Sequence, residues 1–434
     1  MSTLIGIVLV LGTMILVHEV GHFIAAKLFG VRVEVFSIGF PPRLWGIRRG
    51  GTDYRLSAIP LGGYVKMAGD NASEERTGAP DEFLSKPRWQ RAFIAFAGPA
   101  VNLLMPLLLL GVYFVAVGVP YPAFEDRPVE VIALAKNSPE GLNVGDRVIE
   151  VNGLKNPTWG QALGQVNQLS PGAALHVIAE KDGVQRSLTL PVINSGGSDW
   201  PFGYAPIPPI VHRVEPGMPA HRAGLKPNDR VTSINGMSIA SWSQLTESVR
   251  HSEGKPVVMG IRRGNENLTL SMTPQRGVNQ QGDPVYQLGI LVKSDTAYRR
   301  DGLLPSMEFA FSATANITEE TLGVLARLFT GKLSLRQLQS VVGIAHESGA
   351  AVKEGSFQVV FLMALISVNL GVLNLLPIPI LDGGHILLLA IEGSLRRDLS
   401  LAFKERFVQV GFVFLLVILS IVMYFDVARL LPGR

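Results

Sequence analysis

Apolar positions in this chain gather into four long runs, and a polar middle of alternating pattern separates the second from the third. Residues 92–119 carry no charge, and Asn102 is their only strongly polar side chain. Residues 357–381 are also uncharged and hold Gln358, Asn369 and Asn374, while 407–425 form a short clean stretch. The first run, 4–29, is apolar as far as Val17 and then meets His18 and Glu19. Each run is long enough to cross a hydrocarbon core as a helix. No Lys or Arg precedes Lys27, so the first run lacks the basic lead of a cleavable signal peptide and reads as a retained helix.

Composition agrees with a membrane protein. Of 434 residues, 47% are hydrophobic and 17% charged, and the mean hydropathy is +0.29, outside the range of ordinary soluble domains and of disordered chains. The absence of cysteine excludes a disulfide scaffold, an iron–sulfur protein, a thiol nucleophile and a Cys-ligated zinc site. The pI of 9.2 reports topology, because the cations flank apolar runs. Ten Lys/Arg fall in 30–91 and four in 382–406, against none before the first run and two after the last. By the positive-inside rule both termini and the 120–356 region lie outside the cytoplasm. No nucleic-acid partner is expected.

The polar middle contains an internal repeat. Residues 141–159 read GLNVGDRVIEVNGLKNPTW and 224–242 read GLKPNDRVTSINGMSIASW, so Gly, Leu, Asp, Arg, Val, Asn, Gly and Trp recur at an offset of 83. Each copy is followed by a helix-like stretch and a strand pair that turns at Lys181-Asp182-Gly183 or Arg263-Gly264-Asn265. Each is preceded by a β-rich run, Val129–Ala135 or Ile210–Val214. Two copies are too few for a solenoid and predict two globular β-rich modules. Their pattern resembles PDZ domains, which capture peptide tails as an added strand; the alternative is a pair of steric spacers. Residues 305–356 read as amphipathic helices at the outer membrane surface or packed on the modules, with Asn316 and Glu319 as a capping signal.

The chemistry concentrates at His18-Glu19-Val20-Gly21-His22. On a helix, positions i and i+4 share a face, so both imidazoles can bind one metal, with Glu19 within reach of the reacting centre. Polar groups this deep in a membrane helix are costly unless they pair, ligate or line a water-filled cavity. The alternative is a polar cluster buried between helices. A catalytic zinc takes three protein ligands and keeps one position open. Without cysteine, the third ligand must be His, Asp or Glu. The third run ends Asn374-Leu375-Leu376-Pro377-Ile378-Pro379-Ile380-Leu381-Asp382-Gly383-Gly384-His385. Its prolines break the helical ladder, which is tolerated where backbone lines a cavity. Asp382 is the only acid near that run, and His385 is a rival ligand. His18 lies about 21 Å into a core of about 30 Å, past the midplane and toward the cytoplasmic face where Asp382 closes the third run.

At these residues the chain resembles the site-2 proteases, in particular the RseP-like bacterial intramembrane zinc metalloproteases. The resemblance covers nearly the whole chain. It rests on the His18–His22 motif, Phe36-Ser37-Ile38-Gly39-Phe40, Ile59-Pro60-Leu61-Gly62-Gly63-Tyr64-Val65-Lys66-Met67, Gly98-Pro99-Ala100-Val101-Asn102, the twin modules and the Asn374–Gly383 motif. Two departures stand out. Leu338-Gln339-Ser340-Val341 replaces the Leu-Ser-Gly-Pro common in the family, and Pro41 replaces a glycine.

The resemblance implies one catalytic zinc ion held by His18, His22 and Asp382, with Glu19 as general base and acid. It also implies Asn374 as a substrate-binding or oxyanion-stabilising residue. Asn369 would hold substrate or, equally well, make a helix-packing hydrogen bond. The implied substrates are single-pass membrane proteins, namely anti-sigma factors already trimmed by another protease, and remnant signal peptides. The expected fold is therefore a polytopic α-helical membrane protein with four transmembrane helices, a membrane-associated β-hairpin and two extracytoplasmic PDZ-like domains. The expected divisions are 1–120, 121–200, 201–296, 297–356 and 357–434.

Within the first division, Val31–Phe36 and Tyr54–Ile59 alternate like strands around a Pro/Gly/Arg loop. This hairpin is expected to dip toward the zinc and clamp an extended substrate by strand addition. A rival from another class is a non-catalytic membrane scaffold that presents PDZ-like modules, but it leaves the polar cluster of the first run unexplained. A zinc transporter would want polar groups from face to face, which the second and fourth runs lack.

Overall fold

The computed structural model describes residues 6–70, 77–134, 138, 140–170, 172–192, 199–278, 284–292, 295–333 and 341–430. The departure at 338–340 lies outside them. The chain divides into two compact units, one formed by Met1–Val119 with Arg300–Ala428, the other by Pro120–Arg299.

In the first unit, helix α1 runs from Val8 to Leu28, the hairpin strands β1 (Val33–Arg49) and β2 (Thr52–Met67) follow, and α2 spans Arg88–Ala116. Among the described residues four helices are long and apolar enough to cross a membrane: Val8–Leu28, Arg88–Ala116, Ser356–Asn374 and Leu401–Phe425. Their apolar side chains are not hidden inside the protein. Leu104, Leu108 and Val112 are exposed on α2, and Val410, Phe412, Val413, Leu416 and Val417 on the last helix. A helix this apolar and this exposed requires a hydrocarbon surround.

The hairpin is more elaborate than two strands around a loop. Val35 pairs with both Lys66 and Asp53, and Arg43–Arg49 pairs back along Thr52–Ser57. Each long strand therefore breaks into two segments, giving the order 63–67, 33–38, 52–57, 43–49. The expected Pro/Gly/Arg loop is largely strand, because Leu44-Trp45-Gly46-Ile47 continues with free N–H groups once past the Pro41-Pro42 interruption.

The second unit holds the two modules. In the first, β3 (Arg147–Val151), β4 (Leu154–Lys155), helix α3 (Trp159–Asn167), β5 (Ala174–Lys181) and β6 (Val184–Pro191) give sheet order β4-β3-β5-β6. Leu175, Val177 and Ala179 point inward at every second position and pack with Trp159, Leu190 and Phe202. Each buried Leu, Val or Phe among these contributes about 1.5–3 kcal/mol. Thr158 and Gln161 form a capping box at the start of α3.

The second module begins with β7 (Val211–Val214). It repeats the plan with β8 (Arg230–Ile234), β9 (Met237–Ser238), α4 (Trp242–Arg250), β10 (Val257–Arg263) and β11 (Glu266–Met272), ordered β9-β8-β10-β11. Here β7 pairs with β12 (Ile290–Val292). Both hairpins turn where the dipeptides predict. The β-rich run at Val129 forms no strand among its described residues. It bonds the edge of β3 irregularly, through Val148 N–H to Val129 O and Val131 N–H to Asp146 O.

The chain re-enters the first unit with α5 (Leu303–Phe329), α6 (Val341–Glu354), α7 (Ser356–Asn374), α8 (Asp382–Leu395) and α9 (Leu401–Leu430). Two expectations change here. Helix α5 starts after Gly302, not at Asn316, because the Leu-, Met- and Ala-rich stretch from 303 is already helical and Asn316 lies inside it. It packs on the spans, with Ala310 and Ile317 buried against Leu110, Phe114 and Val368. The third span ends at Asn374, and Asp382 opens a separate helix. Pro377 and Pro379 lack the N–H groups that would continue the ladder, so residues 375–381 run as an irregular connection with Ile380 at φ +78°.

Candidate metal centre

His18 and His22 sit one turn apart on α1, both buried, with their Nε2 atoms 3.1 Å from each other. Asp382, at the first turn of α8, places Oδ2 3.1 Å from His18 Nε2 and Oδ1 3.4 Å from His22 Nε2. These are the ligand-type atoms that converge among the described residues. A tetrahedral zinc with bonds of about 2.0–2.1 Å holds its ligand atoms about 3.3 Å apart; the two Nε2 atoms stand near that spacing, and one ligand atom from each of the three residues lies within 4.8 Å of the others. Two imidazoles and a carboxylate suit zinc in charge and softness. The rival His385 is exposed and stands outside the cluster.

Close helix packing makes this convergence possible. At Gly98 on α2, a Cβ atom would collide with the His22 ring and come within 2.9 Å of His18 Cε1. Facing it, Gly21 lies on α1 against the Ala97 carbonyl. The α2 backbone thus approaches the imidazoles as only glycine permits. His22 Nδ1 lies 2.8 Å from the Ile94 carbonyl, to which it donates; the tautomer with the proton there keeps the Nε2 lone pair for a metal. Behind Asp382, Gly383 and Gly384 tuck under the carbonyls of Leu375, Leu376 and Ile378, where side chains would clash.

Glu19, half-buried, accepts a hydrogen bond from the Val65 backbone N–H in the 63–67 segment of the hairpin. The hairpin therefore reaches the acidic residue beside the histidines. Asn374, the last residue of α7, brings Nδ2 to 3.5 Å from His18 Nε2. Asn369 instead accepts from Thr321 Oγ1 of α5 at 2.8 Å, a helix–helix bond. Sequence reasoning passed over the Ile94 carbonyl and the Val65 N–H, since backbone contacts leave no residue-type signal. It did single out Asn102 as the one polar residue of its run, without a role.

A His-x-x-x-His pair on a membrane-type helix, joined by a carboxylate from the start of a distant helix in a cluster that could hold a metal ion, fits a membrane-embedded zinc metalloprotease. The chain belongs to Peptidase family M50, whose pattern matches residues 6–418. It is 34% identical over 398 residues to a putative zinc metalloprotease of Xylella fastidiosa, covering 86% of this chain and 87% of that one. It is 30% identical to protease RseP of Yersinia pestis, covering 99% of each, and 30% identical to the regulator of sigma-E protease RseP of Salmonella typhimurium, covering 98% of each. The chain is thus an inner-membrane zinc metalloprotease of the site-2 type.

Proposed function

We propose that this protease cleaves single-pass membrane proteins within the bilayer, holding zinc through His18, His22 and Asp382 and using Glu19 to move the proton. The observation that carries this reading is the convergence of His18, His22 and Asp382 from helices α1 and α8, with the two Nε2 atoms 3.1 Å apart and one Asp382 oxygen facing each imidazole at 3.1 and 3.4 Å. Zinc bound there supplies Lewis acidity and a more acidic water. Glu19 follows His18 in sequence, and Val65 N–H steadies its carboxylate. As general base it takes a proton from the attacking water, and as general acid it delivers that proton to the leaving amine. Asn374 offers an amide N–H at the edge of the site for the substrate carbonyl. For Asn369 the bond from Thr321 favours helix packing, and a substrate role rests on the family resemblance alone.

A helical substrate hides its carbonyls in its own hydrogen bonds, so it must be unwound. The 63–67 segment is an edge of the hairpin sheet beside Glu19, which suits it to hold an extended substrate as an added strand. Ser57→Pro, which breaks the interior pairing, is expected to abolish cleavage and leave zinc content unchanged. Wild-type cleavage by that variant would refute the clamp.

The two modules, 121–200 and 201–296, act as PDZ-like periplasmic readers that admit trimmed substrates. With them on the periplasmic side, both termini lie there too and the metal centre sits near the cytoplasmic face. Relatives named as regulators of sigma E support an anti-sigma factor as one substrate and a role in envelope stress; remnant signal peptides are the second class.

The deciding experiment compares wild type with Glu19→Gln on a tagged, pre-trimmed single-pass substrate in membranes. Cleavage is expected to fall by about 10²–10⁴-fold or more while zinc stays bound. Equal cleavage would remove Glu19 from the chemistry. If neither form cleaved any trimmed substrate, the non-catalytic scaffold would be the better reading.

A further inference from the structure

Asn102 lies on α2, fully buried, with Nδ2 drawn 3.3 Å from His18 Nδ1 and Oδ1 left without a hydrogen-bond partner among the described residues. That orientation is chemically awkward on both counts. A buried amide oxygen with no donor is costly. If Nδ2–H donated to Nδ1, the His18 proton would have to sit on Nε2, the atom that faces His22 and Asp382. A half-turn about the Cβ–Cγ bond exchanges the two amide atoms at little change in shape. It places Oδ1 against Nδ1, where it accepts the ring N–H. We propose that Asn102 is a positioning residue for the metal centre: its side-chain carbonyl accepts Nδ1–H of His18 and so holds the Nε2 lone pair toward the zinc.

Three further observations support the assignment. First, the neighbouring ligand is treated the same way, since His22 Nδ1–H donates to the Ile94 carbonyl. Both acceptors belong to α2, eight residues apart and on one face of that helix. Second, the position of Asn102 is itself anchored. Pro106 lies four residues on and has no N–H to give the Asn102 backbone carbonyl. Ser367 Oγ of α7 donates to that carbonyl instead, at 2.8 Å. Third, Asn102 is the lone amide of the uncharged 92–119 run, and such a group requires a polar task to offset its desolvation.

The proposal rests on His18 being a zinc ligand, so the test separates the two. Zinc affinity is measured by chelator competition on the purified full-length protein, with helix content and thermal unfolding as controls. His18→Ala is expected to lose zinc; if it binds as wild type, the ligand assignment fails, whatever Asn102 does. Asn102→Leu removes the acceptor in a similar volume and is expected to weaken zinc binding about 10–100-fold. Asn102→Asp keeps an acceptor and has no donor, and is expected to bind zinc within about threefold of wild type or more tightly. A packing role predicts instead that Asp is at least as harmful as Leu, and a donor role predicts that Asp fails. Loss of zinc in Asn102→Asp with retained fold therefore overturns the proposal, as does wild-type affinity in Asn102→Leu. If Asn102→Leu does not fold, the Asp variant still decides.

Discussion

Asp229 in the second β-module is a buried carboxylate and Asp382 in the membrane unit a half-buried one, and their partners differ in kind. Arg263 grips Asp229 as a fork, with Nε 2.8 Å from Oδ1 and Nη2 2.7 Å from Oδ2, and the Lys226 N–H adds a bond of 2.8 Å. Every neighbour is a donor, so the carboxylate is saturated and its charge neutralised in place. Asp382 faces two imidazole Nε2 atoms that can offer lone pairs. Three acceptors directed at one point are mutually repulsive until a cation stands between them. The first arrangement is complete as protein, whereas the second calls for an ion.

Breaking each site should therefore read out differently. The largest effect is expected from Asp382→Asn. Zinc affinity should fall by more than the roughly 10–100-fold of a lost outer partner, cleavage should vanish, and hydrogen exchange in the β-modules should stay as in wild type. Next comes Arg263→Leu, which leaves Asp229 buried and uncompensated. It should destabilise the second module by roughly 3 kcal/mol, seen as faster exchange of the β8 and β10 amides, with zinc content unchanged. Zinc loss there, or module melting in Asp382→Asn, would break the distinction.

The smallest effect concerns pH. Burial raises the Asp229 carboxyl, but the bonds from Arg263 and Lys226 N–H outweigh it and hold the group below the usual carboxylate range. The folded value lies below the unfolded one, about 4. The pairing thus stabilises the module above that value and is lost as pH falls through the lower, folded one. Protection factors of the β8 and β10 amides, which are corrected for the intrinsic pH dependence of exchange, should be flat from pH 7 to about 5 and fall only below about pH 4; an earlier fall would argue that another group controls the module.

The two modules show what repetition reveals and what it hides. Asp146 and Asp229 are related by the 83-residue offset and cap equivalent turns through Asn143 N–H and Lys226 N–H. Asn152 and Asn235 are related likewise, and each accepts a strand N–H, from His176 and Val258. Those roles follow the repeat. The arginine does not: Arg186 comes from β6 and Arg263 from the end of β10, yet both also donate to equivalent glycine carbonyls, Gly141 and Gly224. A guanidinium on a long side chain can reach one point from two strands, so the contact is preserved in space and lost from the alignment.

The same division runs through the membrane unit. Hydrophobic run length marked the four spans to within a few residues, except that the third stops at Asn374. The helical face shared by His18 and His22 was legible because it depends on i, i+4 geometry within one element. The double pairing of the hairpin was not, since alternation reports which positions are strand and says nothing of which edge they pair with. The 316 cap misled because a capping pattern acts only where a helix begins.

What the sequence determined by itself was therefore local: the spans, the imidazole pair, the turn dipeptides and the paired Asp and Asn of the repeat. Periodicity and spacing within one element are enough to specify these. Tertiary structure alone decided that Asp382 and not His385 stands with the two imidazoles, which backbone groups meet His22 and Glu19, and that Asn102 stands behind His18. Those contacts join residues from 46 positions apart (Glu19 and Val65) to 364 apart (His18 and Asp382), through the close approach of α1, α2, α8 and the hairpin. Glycine at 21 and 98 permits that approach, and no single helix encodes it.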